Sequence, residues 1–347
     1  MSKIRTALCS FGMSGRVFHA PFIQLHEGFE LVGAWERTSN LLQEHYPKAK
    51  SYDTYEELLN DDIDLVIVNT PTSTHYEFAK QALMHDKHVV VEKAFTTTVG
   101  EASGLQFLAE QAERKLAVFQ NRRWDSDFRT VQQVINEGLL GEISEAEFHF
   151  DRFNLNLSPK KHKEVPGAGA GIVLDLGPHV IDQALCLFGM PDKVFADIRM
   201  TRPTTSVDDY FEILLYYPTM RARLKAGYIV QEPVPAYQVH GLHGSFVKPR
   251  GDVQEAQLQL GKKPNLGKWG TEDKEHQGII HYTKDGKLKR EQIKSLRGNY
   301  YHFYDEVYQS IVNDTKEPVT ATDGLNVMKI IEAAIESSKQ GKVISLK

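Results

Sequence analysis

The sequence predicts an α/β fold, with a doubly wound parallel sheet in its first third and a mostly antiparallel sheet in the remainder of its 347 residues. Three observations carry that expectation. Strand-like and helix-like patterns alternate up to about Asn121, a glycine-containing turn links the first strand to the first helix, and beyond Asn121 strand patterns begin to follow one another.

The candidate strands of the first part are 3–9, 30–35, 49–52, 64–68, 88–92 and 116–119. Helical patterns lie between them, at 14–26, 39–45, 54–60, 74–85 and 98–114, with Ala79, Ala82 and Leu83 marking the 3.6-residue stripe. Strands joined by right-handed helical crossovers form a doubly wound sheet.

After a helix near 127–138, the run EISEAEFHFDRF at 142–153 alternates as a strand with one slip. A Lys/Pro/Gly-rich passage at 156–171 is expected to be a mobile loop. A helix follows at 178–188, then strands at 194–200, 209–217 and 221–229, the last two joined by a turn at Pro218–Thr219. Residues 250–277 are too polar to place and are expected to be loop. Helices near 300–313 and 323–340 close the chain, the second capped by Thr322 and stopped at Gly341. Two domains result, 1–121 and 122–347, and the closing helices can pack back on the first.

Composition excludes several classes of function. The longest apolar runs, such as LVIV at 65–68, fall far short of the ~20 residues of a membrane span. Met1 leads directly into a strand pattern, which leaves no room for a targeting segment and makes the cytoplasm the expected compartment. Cys9 and Cys186, both in apolar stretches, read as buried small residues rather than a disulfide or thiolate site. With a net charge of −5 and one short basic patch at Lys160–Lys163, a nucleic-acid partner is not expected. The 14 histidines show no HExxH or comparable ligand spacing, so no metal is expected.

SFGMSG at 10–15 follows the first strand. A dinucleotide turn needs glycine where the chain bends, where backbone approaches the pyrophosphate, and where helix meets strand. Ser10, Gly12 and Gly15 hold those three places. Glu36 ends the second strand and can accept both ribose hydroxyls, which favours NAD over NADP because a 2′-phosphate would face a like charge. Arg37 beside it keeps NADP open, since a guanidinium can pair with that phosphate or stack on adenine. Thr70 and Pro71 border the cofactor groove at the end of the fourth strand, Ser73 or Thr74 can cap the next helix, and His75 lies in that helix's first turn.

The fifth strand ends in Glu92 and Lys93, at the sheet edge where open α/β sheets bind ligands. Lys93 can donate to a substrate hydroxyl, and Glu92 can orient it. In DLGPHVIDQAL at 175–185, Asp175 and His179 stand four apart around the start of a helix, with Pro178 in its first turn. A histidine of near-neutral pKa suits removal of a hydroxyl proton. Asp175 can fix the imidazole or bind a second hydroxyl, and Asp182 can be a further partner. Arg122, Arg123 and Trp124 follow the sixth strand, where Arg offers planar donors and Trp a flat face to a sugar ring. A salt bridge with Asp125 or Asp127 is the competing expectation for one of the arginines. Asp151 and Arg152 form another pair nearby.

SFGMSG, Glu36, TPTSTH, VEKAF, NRRWDSDF and DLGPHVIDQ occur in register along nearly the whole chain. In this the sequence resembles the glucose–fructose oxidoreductase/inositol dehydrogenase/rhizopine catabolism family. NRRWDSDF, DLGPHVIDQ and TDGLNVMKIIEAAIESS narrow the likeness to its scyllo-inositol dehydrogenase branch. The resemblance implies a Rossmann domain, a C-terminal α/β domain on an open mixed sheet, and homodimers or homotetramers joined through that sheet. It implies a dehydrogenase that uses NAD or NADP on a small polyhydroxylated substrate, with Lys93, Asp175 and His179 at the catalytic positions and His179 as acid/base. Lys93, Arg122, Arg123, Trp124, Arg152, Asp175 and His179 are the expected substrate-binding residues. The sequence departs from the family pattern at Ser10, in place of glycine, and at Ala94, in place of the proline after the Glu-Lys pair, a loss expected to loosen the backbone beside Lys93. Two other readings stay open at this point, an NAD-dependent glycoside-cleaving enzyme and a nucleotide-sensing protein without catalysis.

Overall fold

The computed structural model describes residues 3–36 and 41–346. It divides into two compact units. The chain through Asn121, with Gln254–Trp269 and Asn299–Leu325, forms the first, and Arg122–Val253, Gly270–Gly298 and the chain from Asn326 form the second. Two segments from beyond residue 122, one of them carrying the helix Tyr301–Val312, thus belong to the first unit. Aromatic packing accounts for their return. Tyr304, on the helix Tyr301–Val312, stacks on Phe22 with ring centroids 6.0 Å apart, and Phe303 meets Phe119 edge-on at 4.9 Å. The amide oxygen of Gln254 accepts from the Tyr300 N–H and the Trp269 indole.

The first unit is built on six parallel strands: β1 (Ile4–Leu8), β2 (Phe29–Trp35), β3 (Lys50–Tyr52), β4 (Leu65–Val68), β5 (His88–Glu92) and β6 (Leu116–Phe119). Their order is β3-β2-β1-β4-β5-β6, so the winding reverses between β1 and β4 and the ligand crevice of such a sheet lies at the carboxyl ends of those two strands. β4 is apolar and buried throughout because helices cover both faces of the sheet. Thr54 and Thr98 cap two of these helices, accepting the backbone N–H of Glu57 and Glu101.

The second unit carries β7 (Ile143–His149), β8 (Lys193–Arg199), β9 (Tyr210–Tyr216), β10 (Arg221–Gly227), β11 (Tyr237–Gly241), β12 (Gly244–Lys248), β13 (Gly278–Lys284), β14 (Lys287–Ile293) and β15 (Ile344–Ser345). The sheet order is β14-β13-β12-β11-β7-β10-β9-β8-β15, antiparallel except where β7 meets β10. On β9, Phe211, Ile213 and Leu215 are buried, while Tyr210, Glu212, Leu214 and Tyr216 face the other side and stay partly exposed. That second face is charged as well as apolar, for Arg223 pairs there with Glu147 and Glu212.

Five strands of this sheet escape the sequence reading, β11 to β14 and the two-residue β15. β14 reads KLKREQI and buries no position, so it lacks the alternation that marks a half-buried strand. A local signal was present: Asp285 and Gly286 both have positive φ at the β13–β14 turn, the geometry that Asp-Gly favours in hairpins. Within the expected loop 250–277 lie the helix Gln254–Gln259 and a short 3₁₀ turn, Lys274–His276.

Other local expectations are also corrected. Thr320, not Thr322, caps the last helix (Ala321–Gln340): its hydroxyl accepts the Asp323 N–H while the Asp323 carboxylate accepts the Thr320 N–H. Thr74 donates its hydroxyl to the Pro71 carbonyl instead of capping, and no side chain caps the helix His75–Met84. The 156–171 passage is pinned by Glu164, whose carboxylate accepts from the Ser158 N–H and from Arg202. Cys9 is buried, which pushes its thiol pKa up to about 12, but Cys186 is exposed. Among the described residues, no helix is long and apolar enough to cross a membrane.

Candidate active site

In the first unit, the turn after β1 is held from within. Ser10 Oγ accepts the Gly12 N–H at 3.2 Å, a bond glycine could not make, and Asn69 Nδ2 donates to the Ser10 carbonyl at 2.8 Å. A Cβ on Gly15 would lie 2.5 Å from that carbonyl, so position 15 admits only glycine. Gly12 is exposed, and a Cβ there would meet nothing closer than Ser10 Oγ at 3.4 Å. The backbone is thus bare on its outer side, which fits a pyrophosphate approaching it.

Glu36 follows β2 with one carboxylate oxygen accepting from Ser51 Oγ at 2.9 Å and the Leu42 N–H at 3.2 Å. The side chain is therefore oriented before any ribose arrives. Arg37 lies outside the described residues. Thr70 and Pro71 follow β4 as expected, and His75 opens the next helix. It is buried, with Nδ1 on the Ala94 carbonyl and Nε2 on the Thr70 carbonyl, each at 2.8 Å. It ties the chain after β4 to the chain after β5. The Lys93–Ala94 peptide bond is cis, and His75 fixes the carbonyl next to it.

Glu92 sits in a polar cluster that sequence reasoning missed. Oε1 accepts from Ser14 Oγ at 2.6 Å and His19 Nε2 at 3.0 Å; Oε2 accepts the Lys93 N–H at 3.1 Å. His19 is fully buried, and its Nδ1 meets the Tyr304 hydroxyl at 2.6 Å. The Nε2–H tautomer satisfies both contacts. Ser14 thereby joins the dinucleotide turn to the Glu-Lys pair. No local signal marks His19 or Tyr304, whose partners are far away in sequence. Burial alone would raise the Glu92 pKa, yet His19, Ser14 and the Lys93 charge hold it down at about 2. The folded-state value lies below the ordinary 4.5, so its contribution to stability is full above that pH and is lost as pH falls toward 2. Glu92→Gln should accordingly flatten the acid limb of stability over that window, and an unchanged urea midpoint profile would refute the assignment.

In the second unit, the helix Gly177–Phe188 starts with Pro178 in its first turn, and a short helix, Ile172–Asp175, precedes it. His179 is buried and stacks on Phe150, ring centroids 6.0 Å apart and planes 29° apart. Asp175 is partly exposed, and its two oxygens take the Lys163 ammonium at 2.8 and 2.7 Å. Lys163 belongs in sequence to the basic patch Lys160–Lys163. It lines, with Asp175, Arg152, Arg202, Asp208 and Tyr228, a pocket of about 190 Å³.

Arg122 and Arg123, after β6, both carry ion pairs. Arg122 pairs with buried Asp125 at 3.1 Å, the salt bridge weighed from sequence. Arg123 grips Asp182 through Nε and Nη2 at 2.8 and 2.7 Å, which commits both residues to a buried fork. Trp124 is 8% exposed. Arg152 is exposed, its guanidinium 5.2 Å from the Phe150 ring. Asp151 accepts from His149 at 2.9 Å.

Two family models match the chain. One is described as the NAD-binding Rossmann fold of an oxidoreductase family, over residues 4–120, and the other as that family's C-terminal alpha/beta domain, over residues 132–346. The chain is 36% identical over 347 residues to scyllo-inositol 2-dehydrogenase (NADP(+)) IolW of Bacillus subtilis, covering 100% of this chain and 97% of that protein. It is 39% identical over 368 residues to the uncharacterized oxidoreductase C115.03 of Schizosaccharomyces pombe, covering 100% of both. The solved structure of YvaA from Bacillus subtilis superposes with a TM-score of 0.97 at 36% identity, covering 100% of this chain and 99% of that one.

Proposed function

The chain belongs to the Gfo/Idh/MocA oxidoreductase family, and on that premise we propose that it transfers a hydride between NAD(P) and a secondary alcohol of a cyclitol or sugar. The observation that carries the reading is the turn Ser10–Gly15 at the reversal point of a six-stranded parallel sheet, with Lys93 at the end of β5. The nicotinamide, when bound, supplies the hydride acceptor. Gly12 and Gly15 would admit its pyrophosphate, and Glu36 would take the ribose.

Removal of hydride from a carbinol carbon requires loss of the hydroxyl proton. We assign that proton to His179, whose ring orientation Phe150 fixes. Lys93 steadies the oxygen as negative charge develops, and Asp175, oriented by Lys163, holds a neighbouring hydroxyl. Titration with NADH and NADPH tests the premise: binding at submillimolar concentration is expected, and no binding of either would end the reading.

Glu36 tips the choice toward NAD, although the Bacillus relative bears NADP(+) in its name. Glu36→Ala should reduce NAD selectivity by about 1–2 kcal/mol, the scale of a charge-assisted hydrogen bond. An unaltered NAD/NADP ratio would remove Glu36 from that role.

We further propose that the partly exposed face of the nine-stranded sheet joins copies of the chain into a homodimer or homotetramer. Leu214, Tyr216 and Phe195 give it apolar area, and Phe195 is 37% exposed. Sedimentation at micromolar concentration should find an oligomer; a stable monomer would contradict the proposal.

A further inference from the structure

Resting on the polyol reading above, we propose that the substrate is a polyhydroxylated carboxylate and that the pocket of the second unit holds its carboxylate on Arg152, beside the Lys163–Asp175 pair. The argument starts from charge. Three cations line the pocket: Arg152, Lys163 and Arg202. Lys163 is chelated by both oxygens of Asp175. Arg202 is spent on Asp209 at 2.8 Å, Glu164 at 3.1 Å and the Asn156 carbonyl at 2.9 Å.

Arg152 is different. Its guanidinium has an aromatic neighbour, Phe150, and no carboxylate within ion-pair distance among the described residues. Asp208, the remaining acid of the lining, accepts the Val173 N–H at 2.8 Å. One cation of the pocket therefore lacks a counter-charge.

The location ties that cation to the chemistry. Phe150 carries Arg152 at one contact and stacks with His179 at another, so an anion on Arg152 sits near the proposed acid/base. Arg122 and Arg250 also approach the Phe150 ring, at 5.2 and 4.0 Å. A guanidinium fork matches a planar carboxylate in two parallel hydrogen bonds. A single uncompensated charge suits a carboxylate better than a phosphate dianion. The Lys163–Asp175 pair then presents a donor and an acceptor side by side for adjacent hydroxyls.

Matched probes isolate the charge. Glucuronate and galacturonate are compared with their neutral amides, and with glucose 1-phosphate, by calorimetric binding and by kcat/KM with NAD and NADP. The acids should exceed their amides by about 10–100-fold, the factor of one charge-assisted hydrogen bond. Added salt should narrow that gap. Arg152→Gln should bring the acid/amide ratio close to one, and Arg152→Lys should restore part of it, which loss of structure alone would not do.

An acid/amide ratio near one in the unaltered protein would overturn the proposal, as would a ratio unchanged in Arg152→Gln or a preference for the phosphate ester. If acids bind in an Arg152-dependent way but are not oxidised, the hydride-transfer reading fails and the pocket assignment stands. If neutral polyols are oxidised and acids gain nothing, the reverse holds.

Discussion

Replacing His179 with Ala should lower turnover by about 10²–10⁴-fold, the usual contribution of a positioned acid/base. Cofactor affinity should hardly change, because His179 belongs to the second unit while the dinucleotide turn belongs to the first. Lys93→Ala should be similarly damaging. On the proposed mechanism both side chains serve one transition state, so their losses should not add, and the double variant should be scarcely worse than the poorer single one. The alternative is a histidine that merely completes a helix start. Its removal would lower stability by ~1 kcal/mol and leave turnover nearly intact. Turnover, cofactor affinity and Tm measured on the three variants separate these outcomes, and near-normal turnover in His179→Ala would discard the mechanism.

Lys248→Met should destabilise the protein by about 3–5 kcal/mol, the loss seen when one partner of a buried ion pair is removed. Lys248 and Glu272 are both fully buried, with Nζ 2.6 Å from a Glu272 oxygen and 2.7 Å from the His276 carbonyl. Glu272 also accepts from Ser126 and Ser295. Without the ammonium, a carboxylate stays buried on two hydroxyl donors. Lys248→Met with Glu272→Gln should recover part of the loss, because the uncompensated charge is gone. A urea midpoint unchanged in the single variant would contradict this account. Through Ser126 the cluster reaches the start of the helix Ser126–Asn136, directly after the Arg122–Asp125 pair.

The parallel sheet was legible because strands buried on both faces are apolar throughout, as in LVIV and VVV. The far end of the second sheet was not. β14 lies at its edge, where no position is buried and charge replaces alternation. For the site, what could be read was position: residues at the ends of β1, β4 and β5 stand where such sheets bind ligands.

What could not be read was which polar groups were already engaged. His75 is spent on carbonyls 5 and 19 residues away, and Arg123 on a carboxylate 59 residues away. Trp124 shows that residue type at a junction does not reveal burial. Lys163 was hidden for the opposite reason: a lysine among lysines suggests solvent, and its bond to Asp175 exists only once the 156–171 segment has been folded back by Glu164.

The central claim is net hydride transfer from a polyol to a nicotinamide, and a single stoichiometric measurement tests it. The protein is incubated with NAD or NADP and a panel of inositols, aldoses, sugar acids and glycosides, and reduced cofactor and sugar products are quantified together. The account predicts one reduced nicotinamide for each oxidised polyol, with no glycoside needed. Sugar released from glycosides without accumulation of reduced cofactor would place the chain with the cofactor-recycling glycoside-cleaving enzymes, and reduction of neither cofactor by any polyol in the panel would contradict the claim outright.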